Sequence, residues 1–144
     1  WRQQDRFFRA CAELLRPTGA MALQAIVIDD RRYERAKRQE DLIKALVFPG
    51  SSIPSVASIT AAVGRTDLRL VEREDLGPHY AETLARWRSR FGEHRGQLAA
   101  LGYGPELLRL WDLYLAYCQA GFTEGRIGDV QLVLAKPRWQ GVNA

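Results

Sequence analysis

Two polar rings, His79 and Tyr80, stand where the sequence changes from a strand pattern to a long helical pattern. They follow a Gly77-Pro78 turn within residues 74–87. Open α/β sheets bind ligands in the crevice beyond the carboxyl ends of their strands, so both rings are candidate site residues. The alternative stays open that Tyr80 only staples the start of the helix and that His79 is a solvated loop residue.

Gln24 is the one polar side chain within the apolar run of residues 20–28. Burying an amide without hydrogen-bond partners costs about 1–3 kcal/mol, so Gln24 needs a partner or a polar cavity. A satisfied core amide and a ligand contact are both consistent with this pattern.

Residues 107–122 are apolar almost all the way round a predicted helix, and they include Tyr114, Tyr117, Cys118 and Phe122. Such a helix is either wedged in the core or lines a site for an apolar ligand. The pattern alone leaves both open.

The elements that must position these side chains follow an α/β pattern. Residues 5–15 carry apolar side chains at helical spacing. Residues 20–28 predict a strand buried on both faces, which is typical of a parallel sheet covered by helices. A second helix is predicted over residues 32–46, and a third, capped by Ser52, extends to Val63.

Two long helices precede the last strand. A short strand at residues 68–71 leads into an amphipathic helix over residues 81–101, and Gly102 and Pro105 separate this helix from the apolar one. The last strand is predicted at residues 130–135. Because two helices precede it with no strand between them, it is expected to run antiparallel to the others.

The composition indicates one domain over residues 1–144 and argues against nucleic-acid binding. The net charge is +4, but the 18 Arg and 3 Lys residues are spread along the chain and interleaved with acidic residues. The densest basic segment, residues 31–38, is either a solvated helix face or a contact for anionic lipid headgroups. Two cysteines without metal-ligand spacing favour a reducing cytoplasm.

The chain lacks a glycine-rich turn between a strand and a helix, which a nucleotide-like cofactor needs in this class of fold. Its first helix has no strand before it, and it begins at Trp1 without a leader sequence. We therefore expect an excised piece of a longer protein, forming the second half of a sheet.

As a set and in order, the motifs of the chain resemble the carboxyl-terminal part of the cyclopropane-fatty-acyl-phospholipid synthases. This family of S-adenosylmethionine-dependent methyltransferases includes the mycolic acid cyclopropane synthases. The motifs that carry the resemblance are Leu15-Arg-Pro-Thr-Gly19, Leu23-Gln-Ala-Ile26, Phe48-Pro-Gly-Ser-Ser-Ile-Pro-Ser55, Gly77-Pro-His-Tyr80, Thr83-Leu-Ala-Arg-Trp87, Trp111-Asp-Leu-Tyr-Leu-Ala-Tyr-Cys-Gln-Ala-Gly-Phe122 and Gly128-Asp-Val-Gln131.

The resemblance implies the carboxyl-terminal half of a Rossmann-like class I methyltransferase sheet, with three strands of which the last is antiparallel. It implies methyl transfer to the cis double bond of a phospholipid acyl chain, giving a cyclopropane fatty acid. The alternatives are a methyl-branching fatty-acid methyltransferase and a non-catalytic lipid-binding or assembly module. The product type, the double-bond position and the oligomeric state stay open.

The resemblance also implies roles for individual residues. The family holds bicarbonate as the base, which implies that Tyr80 and Gln24 contact this ion while the backbone of Ile26 shapes its pocket. Gln24 stands where many members carry His, and a neutral amide cannot supply positive charge. Ser52 replaces a cysteine that is common in the family.

Cys118 matches a cysteine that is traditionally assigned to the family's active site, and Tyr114, Tyr117, Cys118 and Phe122 are implied to line the acyl pocket. We expect Cys118 to be pocket lining and not a nucleophile. S-adenosylmethionine is implied to bind mostly in an amino-terminal half that this chain lacks. The implied partners are membrane phospholipids, met by peripheral contact at the inner membrane face, and that missing half or a homo-oligomeric copy.

Overall fold

The computed structural model describes residues 2–141, which form helices around a small sheet. In chain order the elements are α1 (Arg2–Leu14), β1 (Ala20–Ile28), α2 (Asp30–Arg38), α3 (Leu42–Leu46), α4 (Val56–Val63), β2 (Arg69–Asp75), α5 (Gly77–Glu93), α6 (Arg95–Ala100), α7 (Pro105–Thr123) and β3 (Ile127–Ala135).

The three strands form one sheet in the order β1-β3-β2. The last strand, β3, lies between the other two and is antiparallel to both, so β1 and β2 run parallel to each other. This arrangement confirms the predicted α/β fold and the predicted direction of the last strand.

One face of the sheet carries the main hydrophobic core. Val130, Leu132 and Leu134 of β3 are at most 1% exposed, and they pack with side chains of α1 and α4 such as Phe8 and Ile59. Each fully buried side chain of this size stabilises the fold by about 1.5–3 kcal/mol. The core therefore fixes β3 as the centre of the sheet.

The opposite face, called here the polar face, carries Ala22, Gln24 and Ile26 of β1, and all three are exposed. The prediction that β1 is buried on both faces is wrong. Burial along β1 alternates with period two because the helices α1 and α4 cover only the core face. Apart from a bridge between Ile28 and Ser55, the described chain leaves the outer edge of β1 unpaired.

The helices α5 and α7 pack against each other around a second cluster. Leu84, Leu115 and Phe122 are buried there. Tyr80, Tyr114, Cys118 and Ile127 are partly buried against them. The apolar helix α7 thus buries one side, while Leu113 and Tyr117 on its other sides are 49% and 48% exposed.

Two predicted helices are broken in the structure. The helix predicted over residues 32–46 is interrupted at residues 39–41, where the ammonium group of Lys44 donates to the carbonyl oxygens of Ala36 and Gln39. Asp41 then caps α3 by accepting a hydrogen bond from the backbone N–H of Lys44. The helix predicted over residues 81–101 begins earlier, at Gly77, and is interrupted at His94.

Three other predicted boundaries are also wrong. Ser55, and not Ser52, caps α4, because Ser55 forms a reciprocal capping box with Ser58. The strand predicted at residues 68–71 runs from Arg69 to Asp75, and the last strand begins at Ile127, three residues before its predicted start.

Candidate functional site

Tyr80 lies in the first turn of α5, and this turn is tied to the central strand. The backbone N–H of Leu76 donates to the carbonyl oxygen of Asp129 at 2.7 Å, and the N–H of Tyr80 donates to the carbonyl of Leu76 at 3.0 Å. A Cβ atom at Gly77 would lie 3.1 Å from the Oδ1 atom of Asp75, which is a tight contact, and 3.5 Å from the Cα atom of Gly128, which is an ordinary one. Tyr80 is therefore positioned by β3 through hydrogen bonds of the backbone.

The ring of Tyr80 packs against α7. It stacks on Phe122 with 4.8 Å between ring centroids and an interplanar angle of 28°, and Trp87 approaches it edge-on at 6.3 Å. Tyr80 is partly buried by these contacts, whereas its neighbour His79 is exposed. Of the two polar rings at the strand end, Tyr80 is the one held in a packed environment.

Tyr114 and Cys118 are adjacent on α7 and form a polar pair within apolar surroundings. Burial, together with the hydrogen bond to the neighbouring Cys118 thiol, raises the pKa of Tyr114 to about 12. Burial also raises the pKa of Cys118, although its hydrogen bond with Tyr114 opposes this effect. The thiol is therefore protonated near neutral pH, which suits a lining residue and not a nucleophile.

The residues predicted to line an acyl pocket are brought together only in part. Tyr114, Cys118 and Phe122 share one side of α7 and pack with Tyr80; these four residues are called here the aromatic cluster. Tyr117 lies outside this cluster and is 48% exposed. Burial, together with the negative charge of Asp41, raises the pKa of Tyr117.

Gln24 has a partner that the sequence did not suggest. Its Nε2 atom donates to the Oδ2 atom of Asp129 at 2.6 Å. Gln131, directly opposite Gln24 on β3, makes a longer contact of 3.5 Å to the Oε1 atom of Gln24. Ile26 lies directly opposite Asp129, and its side chain is 40% exposed. Gln24 is hydrogen-bonded as predicted, but its side chain is exposed and not buried as that prediction assumed.

Asp129 is the residue that sequence reasoning missed. It is 1% exposed, and its Oδ1 atom accepts no hydrogen bond from the residues that the structure describes. The last strand was predicted to begin at residue 130, which left Asp129 outside it. The available signal was the alternation of Asp129 and Gln131 with Val130 and Leu132, which predicts a strand with one polar face.

An open concavity of about 510 Å³ lies where β1 and β2 end, lined by the carboxylates of Asp29, Asp30 and Asp75 and by apolar side chains that include Phe122 and Ile127. Gln24, Tyr80 and Cys118 do not line it. It shares Phe122 with the aromatic cluster, but three carboxylates make it poorly suited to an acyl chain, so we place the candidate site at the aromatic cluster and the polar face. Residues 2–141 contain no group of His, Cys, Asp and Glu residues that could hold a metal ion.

Comparison with known proteins identifies the family. Residues 1–132 match the model of the mycolic acid cyclopropane synthetases. The chain belongs to this family. Its members are S-adenosylmethionine-dependent methyltransferases, which confirms the resemblance seen in the sequence.

Two relatives of this chain are named as methyltransferases. Tuberculostearic acid methyltransferase UfaA1 of Mycobacterium tuberculosis is 40% identical over 137 residues, which are 94% of this chain and 32% of that protein. A probable fatty acid methyltransferase of Pseudomonas putida is 35% identical over 101 residues, which are 70% of this chain and 25% of that protein.

Solved structures of the family share the fold. The cyclopropane synthase MmaA2 from Mycobacterium tuberculosis superimposes with a TM-score of 0.83 at 26% identity, over 94% of this chain and 50% of that one. The mycolic acid cyclopropane synthase CmaA1, solved as a complex with SAH and CTAB, gives the same values. The chain thus spans between a quarter and a half of the length of these relatives.

Proposed function

We propose that this chain is the acyl-chain-binding part of an S-adenosylmethionine-dependent lipid methyltransferase that acts on the cis double bond of an unsaturated phospholipid. The aromatic cluster carries this proposal, because it places apolar rings and two tyrosine hydroxyls, those of Tyr80 and Tyr114, side by side next to the polar face of the sheet. The family membership and the fatty acid methyltransferases among the relatives support it.

The chemistry of an alkene explains what the aromatic cluster contributes. An alkene is a weak nucleophile, and the addition of a methyl group leaves positive charge on the neighbouring carbon of the lipid. The faces of the Tyr80 and Phe122 rings attract such a charge and also exclude water from it. The same rings offer an apolar surface to the acyl chain.

The methyl donor itself is expected to bind outside this chain. After β1 the chain turns at Asp29, which caps α2, and after β2 it passes Asp75 directly into α5. Neither turn offers a glycine-rich backbone cradle, so these residues do not fit a nucleotide-like cofactor. We assign the S-adenosylmethionine site to sequence beyond these residues, and the unpaired edge of β1 is a surface on which that part can pack.

The experiment is a methyl-transfer assay with the full-length enzyme. Labelled S-adenosylmethionine and vesicles of dioleoyl phosphatidylglycerol serve as substrates, and S-adenosylhomocysteine release and the mass of the recovered fatty acids are measured. We expect oleoyl chains to gain one methylene unit and the saturated dipalmitoyl lipid to remain unchanged. Equal labelling of both lipids would contradict the proposal.

A second candidate is a methyl-branching enzyme, which the 40% identity to tuberculostearic acid methyltransferase UfaA1 favours. It uses the same methyl addition and differs in the next step. A hydride shift first moves the positive charge to the carbon that bears the new methyl group, and loss of a proton from that methyl group then gives a methylene product. The same assay decides between the two, because gas chromatography separates a cyclopropane product from an unsaturated methylene product of equal mass.

The remaining expectations concern the membrane and the base. No helix within residues 2–141 has the length and apolar character to cross a bilayer. Peripheral contact with the cytoplasmic face of the inner membrane stays a prediction, with the basic helix α2 as its candidate surface. Bicarbonate at Gln24, Ile26 and Tyr80 likewise stays a prediction from the family resemblance. A non-catalytic lipid-binding module would bind the vesicles and release no S-adenosylhomocysteine.

A further inference from the structure

The helix α2 adds no side chain to either hydrophobic cluster. None of its nine residues is buried, and five of the nine are Arg or Lys. Arg32, Arg35 and Arg38 recur at every third position, so they lie on one side of the helix, and all three are exposed. They are called here the arginine row. Tyr33 and Ala36 on the other side of α2 are half-buried. Packing therefore explains the inner side of this helix and not its arginine row.

The arginine row makes no ion pair with the carboxylates that the structure describes. The ion pairs that α2 makes within residues 2–141 use its other cations, Arg31 and Lys37. A guanidinium group presents a planar fork of donors that matches the geometry of phosphate and carboxylate groups. The three arginines are thus available to anions outside this part of the protein.

The segment that follows α2 places exposed apolar side chains against α7. Phe48, two residues after α3, packs edge-on against Tyr114 with 6.1 Å between ring centroids. Trp111 packs on the same ring at 5.1 Å. Phe48 and Trp111 are nevertheless 50% and 39% exposed, and Leu46 at the end of α3 is 58% exposed. These three side chains are called here the apolar rim. The rim adjoins the aromatic cluster, because Tyr114 belongs to that cluster.

Lys44 holds the basic helix and the apolar rim together. Its ammonium group donates to the carbonyl oxygens of Ala36 at 2.6 Å and Gln39 at 2.8 Å, at the carboxyl-terminal end of α2. Leu46 follows Lys44 by two residues on α3. The last turn of α2, which carries Arg35 and two further cations, is therefore fixed beside the helix that bears the rim.

We propose that the arginine row and the apolar rim together seat the enzyme on an anionic phospholipid bilayer, with the rim inserted among the acyl chains. The arginines meet the negative charge of the lipid headgroups, and the Trp, Phe and Leu side chains of the rim enter the layer just below them. An acyl chain can then pass from the bilayer along the rim to Tyr114. This role of the surface rests on the lipid methyl transfer proposed above, since a water-soluble substrate would not need it.

Vesicle sedimentation with the full-length enzyme measures this docking without any turnover. Vesicles of diphytanoyl phosphatidylglycerol present an anionic bilayer without double bonds, and diphytanoyl phosphatidylcholine presents one without net charge. The triple variant Arg32→Gln, Arg35→Gln, Arg38→Gln should bind the anionic vesicles about 100-fold more weakly than the wild type, since each basic residue near an anionic leaflet contributes about fivefold. Added sodium chloride should weaken the binding of the wild type more than that of the variant.

The variant Leu46→Ser tests the apolar rim. It should bind both kinds of vesicle about tenfold more weakly, near the lower end of what burial of a leucine side chain contributes. The matched control is Leu14→Ser, because Leu14 is 86% exposed on α1, which packs on the core face of the sheet. The control for charge replaces three exposed arginines in and after α1 by Gln, namely Arg6, Arg9 and Arg16. Both controls should bind vesicles as the wild type does.

Methyl transfer to dioleoyl phosphatidylglycerol vesicles separates docking from the reaction. The triple variant should raise KM for the lipid by about 100-fold and leave kcat unchanged, because the arginines do not touch the reacting atoms. If the triple variant and Leu46→Ser bind vesicles as the wild type does, the docking surface is refuted although methyl transfer stands. If Leu46→Ser instead separates a dimer into monomers and leaves vesicle binding unchanged, a second copy covers the rim and the docking surface is also refuted.

The opposite pattern separates the docking surface from the proposed function. If the wild type releases no S-adenosylhomocysteine but both variants lose vesicle binding, the proposed function fails and the docking surface stands as a lipid-binding surface. Thermal unfolding checks that each variant folds. Because the triple variant and Leu46→Ser alter different parts of the surface, either of them decides the question if the other does not fold.

Discussion

The stacking of Tyr80 on Phe122 can be measured as a coupling energy. The two rings lie 4.8 Å apart at 28°, and Phe122 is 6% exposed. Aromatic pairs of this geometry contribute about 0.5–1.5 kcal/mol beyond the burial of their area. Replacing either residue by Leu keeps an apolar side chain in place and removes a ring. Each single variant should then be destabilised by about 0.5–3 kcal/mol, the usual range for point substitutions.

In the double variant Tyr80→Leu with Phe122→Leu, the ring pair is lost only once. The loss of unfolding free energy should therefore fall short of the sum of the two single losses by about 0.5–1.5 kcal/mol. Urea denaturation of the full-length protein, followed by tryptophan fluorescence, measures all four species. Trp87 lies edge-on to Tyr80 and serves as a local reporter.

The control cycle pairs Phe122→Leu with Tyr103→Leu. Tyr103 is 48% exposed and precedes α7, about 25 Å from Phe122 by the rise of the helix. Substitutions so far apart add within about 0.3–0.5 kcal/mol. If the Tyr80 cycle is as additive as the Tyr103 cycle, Tyr80 does not rest on α7, and its assignment to the aromatic cluster is refuted.

Three other predictions follow from the same contacts. Tyr80→Phe keeps the ring stack and removes the hydroxyl, so the free energy of unfolding should change by less than about 1 kcal/mol. Turnover should fall by about 10- to 100-fold, which is the equivalent of one hydrogen bond to a charged group. Unchanged turnover would remove Tyr80 from the mechanism. Because burial raises the pKa of Cys118, less thiolate is present at any given pH, so iodoacetamide should alkylate this thiol at pH 8 more slowly than it alkylates glutathione. An equal rate of alkylation would contradict the burial of the thiol. The variant Cys118→Ala should keep turnover within about tenfold of the wild type. Gly77→Ala should cost about 1–3 kcal/mol because its Cβ atom would lie 3.1 Å from the Oδ1 atom of Asp75, whereas a Cβ atom at Gly92 on the same helix meets nothing within 4 Å, so Gly92→Ala should stabilise by about 0.5–1 kcal/mol. Thermal unfolding compares the two variants, and equal shifts would show that Asp75 does not restrict the space at Gly77.

The first strand illustrates what the sequence could predict. Gly19 and Asp29 bound an apolar run, so the extent of β1 from Ala20 to Ile28 followed directly from the residues. The burial of both faces did not follow. An apolar run has the same appearance whether its second face meets helices or stays open, and here Ile26 is 40% exposed.

The partner of Gln24 could not be read from local pattern. The sequence required a partner for this amide, but the partner lies 105 residues further along the chain. It becomes a neighbour only through the antiparallel register that sets Gln24 opposite Gln131 and Ile26 opposite Asp129. A shift of that register by one residue would turn Asp129 to the core face, so the site depends on the pairing of β1 with β3.

Some helix boundaries were predicted wrongly because they depend on tertiary contacts that the local pattern does not show. The break between α2 and α3 is stabilised by Lys44, whose ammonium group binds the carbonyl oxygens of Ala36 and Gln39. A lysine in a helical pattern gives no sign of such a return contact. Ser55 caps α4 instead of Ser52, because Ser55 also bridges to the end of β1, where Ile28 donates to the carbonyl oxygen of Pro54. Ser52 and Ser55 were equally good capping residues by local sequence, and tertiary contacts determine that Ser55 is the cap.

The position of Asp129 shows that burial and hydrogen bonding compete in this fold. Its neighbours on the core face of β3, Val130 and Leu132, are buried and apolar, and each stabilises the sheet. Asp129 is equally buried, and its Oδ1 atom has no partner among the described residues, which costs about 1–3 kcal/mol. Its Oδ2 atom accepts the hydrogen bond from Gln24 and thereby ties the polar face of β1 to β3. Its backbone would hold Leu76, and thereby Tyr80, with any side chain. A carboxylate at this position therefore fixes Gln24 and leaves one buried oxygen unpaired.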